Sequence, residues 1–521
     1  MTPPQFGAIA LAAAAGAATV FGFAPFHLSA LPIVTAALLF AQWQGAATPR
    51  AAAQTGFAFG LALFGTGASW VYVALASFGG MPGPLAALGT AGFCAWLALF
   101  PAATGWLAVR FTAPHTVARV VAACALWTLA EWARSSGYAG FPWLALGYSQ
   151  VPAPVATGAA WTTALASPLS GFGAVGGVWL VTLATAACAA LLALLIEAIA
   201  TASTMRAAIL FATGLSVVGI GTLLARVEWT SPVNDPVAVS LVQGNFPEEV
   251  KFDPAMRDET FRTYVELAAN SRGRLVVLPE SAFPMFADEV PREVLLDLAR
   301  TGTTRHGSVL VGLFTLDRPS AERNEPRYYN SVVSLGGGDV QIYRKRHLVP
   351  FGETIPLDSI IGWFIRNVLS IPLADQTPGP EGQPAFVLGT ERVAVNICYE
   401  DAFGNELRPA AATATLLVNV TNDAWYGRSL AAEQHNQIAA MRALETGRPL
   451  LRATNTGITS AIDHHGREFA RLPWYTRGVL EVDIAGRSGT TPYLRWGDLV
   501  PLAIASLFLV AAIAARGRLA G

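Results

Sequence analysis

The sequence has few charged residues and almost no lysine. Charged residues make up 13% of its 521 residues, about half of the roughly 25% that soluble globular domains carry. The net charge is -1 and no basic stretch alternates with aromatic residues, so the composition argues against a nucleic-acid partner. The charges are unevenly spread: residues 1–227 are mostly apolar, 228–490 have an ordinary soluble composition, and 491–521 hold another apolar run. We therefore predict a membrane domain, a polar domain and a final membrane segment.

Eight apolar runs approach the length of about 20 residues that a transmembrane helix needs. They are Phe6–Phe23, Leu28–Trp43, Gly56–Leu75, Leu85–Val109, Val117–Trp132, Gly173–Ile196, Ala207–Leu224 and Leu499–Ala514. The first run lacks a basic start and a clear cleavage site, so we interpret it as a retained span and not as a signal peptide.

The placement of arginine orients the predicted spans. If the N-terminus is cytoplasmic, one side of the membrane holds Arg50, Arg110, Arg119, Arg206, Arg516 and Arg518. The loops Met81–Pro84 and Gly137–Ser167, on the other side, hold no lysine or arginine. The positive-inside rule then places both termini in the cytoplasm and the polar domain across the membrane, which in a bacterium is the periplasm.

Cysteine is scarce as well. Cys94, Cys124 and Cys188 lie within apolar runs and are most simply small packing residues. Cys398 is the only cysteine of the polar domain, so it has no disulfide partner there although the predicted compartment is oxidising. A lone thiol in that setting is either a buried packing residue or a reactive group.

The polar domain alternates strand-like and helix-like runs, which is typical of layered α/β folds with reactive groups at strand ends. The predicted strands are Val237–Val242, Leu275–Leu278, Ser308–Phe314, Asn330–Ser334, Arg392–Ile397, Leu416–Val420 and Leu450–Thr454. The predicted helices are Pro254–Ser271, Arg292–Arg305 and Ala431–Thr446, and the Pro/Gly-rich stretch Ala374–Gln383 is predicted to be a loop.

Three strand ends carry side chains suited to covalent acyl transfer. "LVVLPE" ends at Glu280, "YRKRHLVPFGE" presents Lys345 and Glu353, and "NICYED" presents Cys398. A thiol can attack a carbonyl, a carboxylate can take its proton, and an ammonium can stabilise the oxyanion. Lysine occurs only at Lys345 and Lys251, against 32 arginines, so Lys345 is a candidate for a role that needs a compact ammonium.

Each candidate also has a plain structural interpretation. Lys345 can belong to a solvated basic turn, Glu280 can cap a helix, and Cys398 can be a buried small residue. The carboxylates of Glu400 and Asp401 can be ordinary turn residues. No metal or organic cofactor is expected, because no phosphate-binding glycine loop occurs and the histidines lack the spacing of a known metal site; these are His347, His435, His464 and His465.

Several motifs together resemble the nitrilase superfamily and, more closely, the apolipoprotein N-acyltransferase family. Besides "LPESAF", "YRKRHLVPFGE" and "NICYED", they are "FPWLALGYSQ", "VQGNFP", "NVTNDAWYG", "RALETGRPLLRATNTGITSAID" and "TPYLRWGD", so the resemblance covers nearly the whole chain. It implies a multi-pass α-helical membrane protein of about eight spans, with an inserted nitrilase-like αββα sandwich.

The resemblance also implies roles for individual residues. It makes Cys398 the nucleophile, Glu280 the general base and Lys345 the oxyanion stabiliser. Supporting residues would be Glu353, Tyr399 and Glu400, and Trp143 matches a family tryptophan near the substrate entrance. For lipid substrates we also predict an apolar-lined site with aromatic residues near its mouth, namely Trp143, Phe252 and Phe283. The chain departs from the family in one place, because Lys251-Phe252 stands where a Lys-Trp pair is usual, and phenylalanine offers no indole N–H.

The implied reaction moves an acyl chain from a phospholipid, expected to be sn-1 of phosphatidylethanolamine, through a Cys398 thioester to the amino group of a diacylglyceryl-cysteine. The expected partners are the phospholipid donor and the apolipoprotein acceptor, and the chain is expected to be a monomer. A membrane-tethered nitrilase-type amidase would share the three reactive residues and stays open as the alternative. A transporter or scaffold is disfavoured, because Glu131, Arg134 and Glu197 fall near predicted span ends, where interface roles suffice.

Overall fold

A computed structural model describes residues 3–137, 140–155, 167–247, 251, 253–319, 325–355 and 376–517. The N-terminal part is helical, with α1 Pro3–Thr19, α2 Ala30–Gln44, α3 Pro49–Gly67, α4 Val71–Val73, α5 Gly83–Phe111, α6 Val117–Arg134, α7 Gly173–Ala200 and α8 Thr204–Leu224. After the α/β domain come α13 Pro492–Trp496 and α14 Leu499–Gly517. Every predicted span therefore overlaps at least one helix, although the bounds differ.

Not all of these helices meet the length and apolarity that spanning a membrane requires. Among the described residues four do: Gln5–Gly22, Gly83–Phe111, Pro168–Ala200 and Thr204–Leu224. The third predicted span was misplaced, because its helix begins at Pro49, ends at Gly67 and bends by 58° into Val71–Phe78; counted as one span, that pair makes a fifth. The helices α2 and α14 are short, and α6 carries three charged side chains.

Close packing of the apolar helices depends on glycine. A Cβ added to Gly56 on α3 would lie 2.4 Å from the Pro101 carbonyl oxygen of α5, and one added to Gly60 would lie 2.9 Å from Ala98 Cα. Small residues four apart let two helix backbones approach closely where lipid gives no hydrophobic drive for association. We infer that Gly56 and Gly60 fix the contact between α3 and α5.

The polar domain contains two six-stranded sheets. The first has the order β13-β2-β3-β4-β5-β6 and the second β12-β11-β10-β9-β8-β7, with β1 and β14 forming a separate pair. The strands are β1 Thr230–Pro232, β2 Val237–Gln243, β3 Leu275–Val277, β4 Ser308–Asp317, β5 Arg327–Gly336, β6 Ile342–Arg344, β7 Phe386–Leu388, β8 Glu391–Ile397, β9 Leu416–Thr421, β10 Leu450–Thr454, β11 Ser460–Ile462, β12 Glu468–Arg471, β13 Gly478–Ile484 and β14 Arg487–Gly489. The seven predicted strands are all present, within a few residues at each end.

Helices cover the outer faces of both sheets, and the two helix layers differ. The first sheet is covered by α9 Arg257–Asn270 and α10 Arg292–Thr304, whose outer residues are exposed. The second sheet is covered by α11 Gly404–Thr413 and α12 Ala431–Thr446. All residues of α12 except Glu433 are buried, and its apolar side chains share one core cluster with the apolar N-terminal helices. The predicted αββα sandwich therefore has one solvent-facing and one membrane-facing helix layer.

The start of α7 is adapted to this junction. Gly176 and Gly177 have non-helical backbone angles, with φ of 65° at Gly177, where a Cβ would lie 2.6 Å from the Tyr493 ring. The break leaves the Val178 N–H free of the helix ladder, and it donates to Glu445 Oε1 on α12 at 2.8 Å. A glycine with positive φ thus lets a membrane helix bond directly to the α/β domain.

Candidate active site

Three reactive side chains follow three strands at one end of the sandwich. Glu280 lies just after β3 and Lys345 directly after β6, in the first sheet, whereas Cys398 directly follows β8 in the second sheet. The charges of Glu280 and Lys345 both act on the Cys398 thiol, so the two sheets bring a carboxylate, an amine and a thiol into one cluster.

Cys398 occupies a strained turn. It begins the short 3-10 turn Cys398–Ala402 with φ of 53°, in the left-handed region that non-glycine residues seldom adopt. Its backbone carbonyl accepts hydrogen bonds from Asn419 Nδ2 at 3.1 Å and from His435 Nε2 at 3.2 Å. These bonds hold the turn, which presents the side chain at the strand end as nucleophile elbows do.

Lys345 is buried between two carboxylates. Its Nζ lies 2.8 Å from Glu353 Oε1 and 3.3 Å from Glu280 Oε1, and Asn330 Nδ2 donates to Glu280 Oε1 at 2.7 Å. Burial lowers the pKa of Lys345, but the charges of Glu280 and Glu353 outweigh it and raise the pKa above its ordinary value. Lys345 is therefore an ammonium at neutral pH, placed to stabilise negative charge.

The thiol of Cys398 is protonated at rest. Burial and then the negative charge of Glu280 raise its pKa well above the ordinary value, and the nearby Lys345 ammonium only partly opposes them. The thiolate is the nucleophilic form of cysteine, so Cys398 needs a base to take its proton as it reacts. Glu280 is the carboxylate whose charge acts most strongly on it.

Glu400 connects the Cys398 turn to the segment that carries Lys345. Its carboxylate accepts hydrogen bonds from the backbone N–H groups of Ile397 at 2.7 Å and Arg346 at 2.6 Å, and from the Tyr343 hydroxyl at 2.9 Å. Burial raises the pKa of Glu400 to about 7, although these hydrogen bonds favour the charged form. A single side chain thus fixes the Cys398 turn of one sheet against the Lys345 segment of the other.

Tyr399 connects the same turn to the membrane domain. Its hydroxyl donates to the Gly140 carbonyl at 2.6 Å, and its ring stacks on Trp143 with centroids 5.6 Å apart. Trp143 is 1% exposed and stacks in turn on Phe141. The prediction that Trp143 contacts substrate stays a prediction; the structure shows it buried beside the residue that follows the nucleophile.

The other two aromatic candidates have different outcomes. The prediction that Phe283 lies at the mouth of the site is wrong: it is fully buried and packs on Phe261 and Tyr264 under α9, with ring centroids 5.2 and 6.0 Å away. Phe252 lies outside the described residues. Its neighbour Lys251 is buried and donates from Nζ to the Glu280 carbonyl at 3.3 Å, so both lysines of the chain contact Glu280.

The loop that carries Trp143 is held by two charged residues at the end of α6. Glu131 accepts from the Leu146 N–H at 3.1 Å, and Arg134 donates to the carbonyls of Phe141 and Trp143. Both side chains are buried. Their role is therefore to fix a loop beside the active site, which goes beyond the interface role that their position in the sequence predicted.

A buried charged network below Cys398 was not identified from the sequence as a unit. His435 Nδ1 lies 2.9 Å from Asp423 Oδ1 and its Nε2 lies 2.9 Å from Asp401 Oδ1. Arg452 donates to Asp401 Oδ2 at 2.8 Å and to Asn419 Oδ1 at 2.7 Å. Because His435 and Asn419 donate to the Cys398 carbonyl, the network supports the strained turn. A sequence signal existed, since Arg452 interrupts the otherwise apolar strand β10.

A different part of the domain could hold a metal ion. Within the described ranges, the group with suitable donors comprises Glu228, His464 and His465, whose ligand atoms all lie within 4.8 Å of one another. None of these three residues belongs to the cluster around Cys398.

Comparison with known proteins places the chain in a family. A family model described as "Carbon-nitrogen hydrolase" matches residues 238–493, and one described as "Apolipoprotein N-acyltransferase N-terminal domain" matches residues 15–191. The apolipoprotein N-acyltransferase of Nitrosomonas europaea is 46% identical over 96% of this chain and 95% of the relative. That of Methylococcus capsulatus is 40% identical over 94% and 93%, and that of Ralstonia nicotianae is 38% identical over 98% and 93%. The chain therefore belongs to the apolipoprotein N-acyltransferase family, with a carbon-nitrogen hydrolase domain that carries the buried cysteine, lysine and glutamate.

Proposed function

We propose that this chain is an N-acyltransferase that completes bacterial lipoprotein maturation. It takes an acyl chain from a phospholipid, the sn-1 chain of phosphatidylethanolamine, and passes it through a Cys398 thioester to the α-amino group of an N-terminal S-diacylglyceryl-cysteine. The observation that carries the proposal is the buried cluster of Cys398, Glu280 and Lys345 beside a loop of the apolar helices. The names of the relatives support the same activity.

In the first half-reaction, Glu280 accepts the proton of the Cys398 thiol and the sulfur attacks the ester carbonyl carbon. The Lys345 ammonium stabilises the oxyanion that forms. The ester C–O bond breaks, Glu280 returns the proton to the leaving alkoxide, and a lysophospholipid departs. The high thiol pKa supports this order, because the proton must move before sulfur becomes nucleophilic.

In the second half-reaction, the amine of the diacylglyceryl-cysteine attacks the thioester. Glu280 accepts a proton from the nitrogen, the C–S bond breaks, and the Cys398 sulfur takes the proton back. The product is an amide, and the sequence of two half-reactions is ping-pong. Glu353, Tyr399 and Glu400 act as positioning residues, because they hold Lys345 and the Cys398 turn.

A membrane site suits these substrates. Extracting a lipid into water costs about 0.8 kcal/mol per CH₂ group, so a soluble enzyme would pay heavily for each acyl chain. A site beside apolar helices lets the chains stay in lipid while the carbonyl reaches sulfur. Excluding water also favours transfer to the amine over hydrolysis.

Contacts at the cytoplasmic side support an eight-span arrangement. Arg119 at the start of α6 donates to the carbonyls of Trp43 and Gln44 at the end of α2 and of Ala46 just after it, which puts those two helix ends on one side. Glu197 near the end of α7 pairs with Arg206 at 3.3 Å, and the arginine bias of the sequence assigns this side to the cytoplasm.

Contacts at the opposite side support the same arrangement. The Ala24 N–H, after α1, donates to Gln437 on α12, and the Gly67 carbonyl, at the end of α3, accepts from Gln434. The α/β domain would then lie in the periplasm, both termini in the cytoplasm and the helices in the inner membrane. The proposed division is 1–227, 228–490 and 491–521, and the proposed functional unit is a monomer.

The experiment that tests the proposal is the intact mass of the purified chain after incubation with phosphatidylethanolamine of defined acyl chains. We expect an adduct of one acyl chain that hydroxylamine removes and that a diacylglyceryl-cysteinyl peptide discharges. Cys398→Ala should form no adduct, whereas the matched control Cys188→Ala, in α7, should react like wild type.

Each alternative result has a clear meaning. No adduct on wild type, or an equal adduct on Cys398→Ala, would remove Cys398 as the acyl carrier. An adduct that water clears as fast as the peptide does would favour the membrane-tethered amidase.

A further inference from the structure

Two adjacent histidines meet one glutamate at the junction between α8 and the α/β domain. Glu228 lies in the linker after α8, and His464 and His465 lie in the turn between β11 and β12. His464 Nε2 is 3.0 Å from Glu228 Oε2, and His465 Nε2 is 2.9 Å from Glu228 Oε1. The contact joins segments 236 residues apart.

The donor atoms have nearly the spacing of a metal site. Zinc binds histidine nitrogen and carboxylate oxygen at about 2.0–2.2 Å, which in a tetrahedral site separates ligand atoms by about 3.3 Å. The observed nitrogen–oxygen distances are within about 0.4 Å of that value, and all three donors lie within 4.8 Å of one another. Small side-chain rotations would therefore turn the hydrogen-bonded group into a ligand set.

The surroundings allow a metal ion to enter and to keep a fourth ligand. Both histidines line a cavity of about 360 Å³, whose other walls include Thr222 at the end of α8 and Ser170 before α7. The histidine side chains are 19% and 29% exposed. Two histidines and one glutamate with a place for water form a known type of zinc ligand set.

The charges around the group act in both directions. The negative charge of the Glu228 carboxylate favours a bound cation. Arg487 opposes binding, since its Nη2 lies 2.6 Å from Glu228 Oε2. Its Nε also donates to Thr230 Oγ1 at 2.9 Å, so Arg487 keeps a partner when the carboxylate turns to a metal.

We propose that Glu228, His464 and His465 form a site for a divalent transition metal of the zinc class. The ion would clamp the linker after α8 to the β11–β12 turn and so stabilise the junction between the membrane helices and the α/β domain. This inference is independent of the acyl-transfer proposal, because none of the three residues contacts Cys398, Glu280 or Lys345.

The test uses full-length protein in detergent, purified without a polyhistidine tag and stripped of metal with a chelator. Titration with Co²⁺ should give the visible absorption of a tetrahedral ion at one equivalent, and Zn²⁺ should displace it and raise the temperature of unfolding. His464→Ala and Glu228→Gln should each weaken Zn²⁺ binding at least tenfold. The matched control His306→Asn, at an exposed left-handed position, should bind like wild type.

A folding check separates lost ligands from lost structure. Both ligand variants should keep wild-type acyl transfer in metal-free buffer, because they lie outside the catalytic cluster. Unchanged Zn²⁺ affinity in His464→Ala and Glu228→Gln would overturn the proposal, as would the lack of a one-equivalent Co²⁺ spectrum in the wild type.

Discussion

Replacing Glu280 by glutamine should make Cys398 more reactive toward a simple alkylating agent while abolishing acyl transfer. In the wild type, burial and then the charge of Glu280 raise the thiol pKa, whereas Lys345 lowers it. Glu280→Gln removes the second effect and frees Lys345 of one carboxylate partner, so the thiolate fraction at a given pH rises. The same substitution removes the proposed base.

The size of the effect follows from two opposing trends. Removing a nearby negative charge raises the thiolate population by about 10- to 1,000-fold. The thiolate also becomes less nucleophilic as its pKa falls, so the logarithm of the rate rises by only about half as much as the logarithm of the population. We therefore expect Cys398 of Glu280→Gln to be alkylated by iodoacetamide ~3- to 30-fold faster than wild type at pH 8. Acyl-enzyme formation by the same sample should fall by about 100-fold or more.

The assay is peptide-level mass spectrometry of Cys398 over time, with Cys398→Ala to exclude the membrane cysteines. Glu293→Gln, an exposed position on α10, is the matched control and should follow wild type in both measurements. Equal or slower alkylation of Glu280→Gln would refute the electrostatic reasoning. Retained acyl-enzyme formation would refute the assignment of Glu280 as the base.

Three further predictions test the groups that hold the site. Arg452→Met removes the arginine that pairs with the buried carboxylates of Asp401 and Asp423, so the free energy of unfolding should fall by about 3–5 kcal/mol. The control Arg392→Met, at an exposed position on β8, should lower it by less than about 0.5 kcal/mol. Similar losses in the two variants would contradict the role of the network. The pKa of Glu400 is raised from its ordinary value of 4.5 to about 7 in the folded protein. The folded state therefore holds the proton more tightly than the unfolded state, and the free energy of unfolding should fall as the pH rises from about 4.5 to about 7. This decrease should be absent in Glu400→Gln. Trp143→Ala should lower the free energy of unfolding, measured by chemical denaturation, by about 3–5 kcal/mol. Trp143→Phe keeps a ring that can stack on Tyr399, so it should lose much less stability than Trp143→Ala.

The strand ends were predictable because each strand is a short apolar run with a sharp end. The run before Glu280 stops at Pro279, and the run before Cys398 stops where carboxylates begin. Local pattern therefore located the reactive residues, and one resemblance assigned their roles. It could not show that Lys345 lies between Glu280 and Glu353, because that depends on the order of β3, β4, β5 and β6 in the first sheet.

The misplacement of Phe283 shows why local position fails for side-chain direction. Phe283 was predicted to lie near the mouth because an apolar site for lipid substrates is expected to have aromatic residues there. Ser281 has φ of 46°, and the Phe283 N–H then donates to the Gly312 carbonyl of β4, which directs the ring into the layer under α9. A left-handed backbone at a non-glycine residue cannot be read from the sequence around it.

Glutamate and histidine at the α8 junction illustrate the same limit at long range. His464 and His465 have no useful spacing by themselves, and their partner Glu228 precedes them by 236 residues. The three ligand atoms come together only because the sheet topology places the β11–β12 turn next to the linker after α8. Metal sites built from distant segments therefore escape motif analysis even when each donor is visible.

The helix α12 connects the Cys398 turn to the apolar N-terminal helices. On one face, α12 carries His435, which donates to the Cys398 carbonyl; the same helix carries Gln434, which donates to the end of α3, and Glu445, which accepts from the break in α7. Buried polar side chains on such a helix are tolerated only if they are hydrogen-bonded. The helices α3 and α7 provide those pairs, so we expect a shift of either helix to pass through α12 to the Cys398 turn. The α/β domain expressed alone should therefore lose the geometry of Cys398 before it loses its sheets.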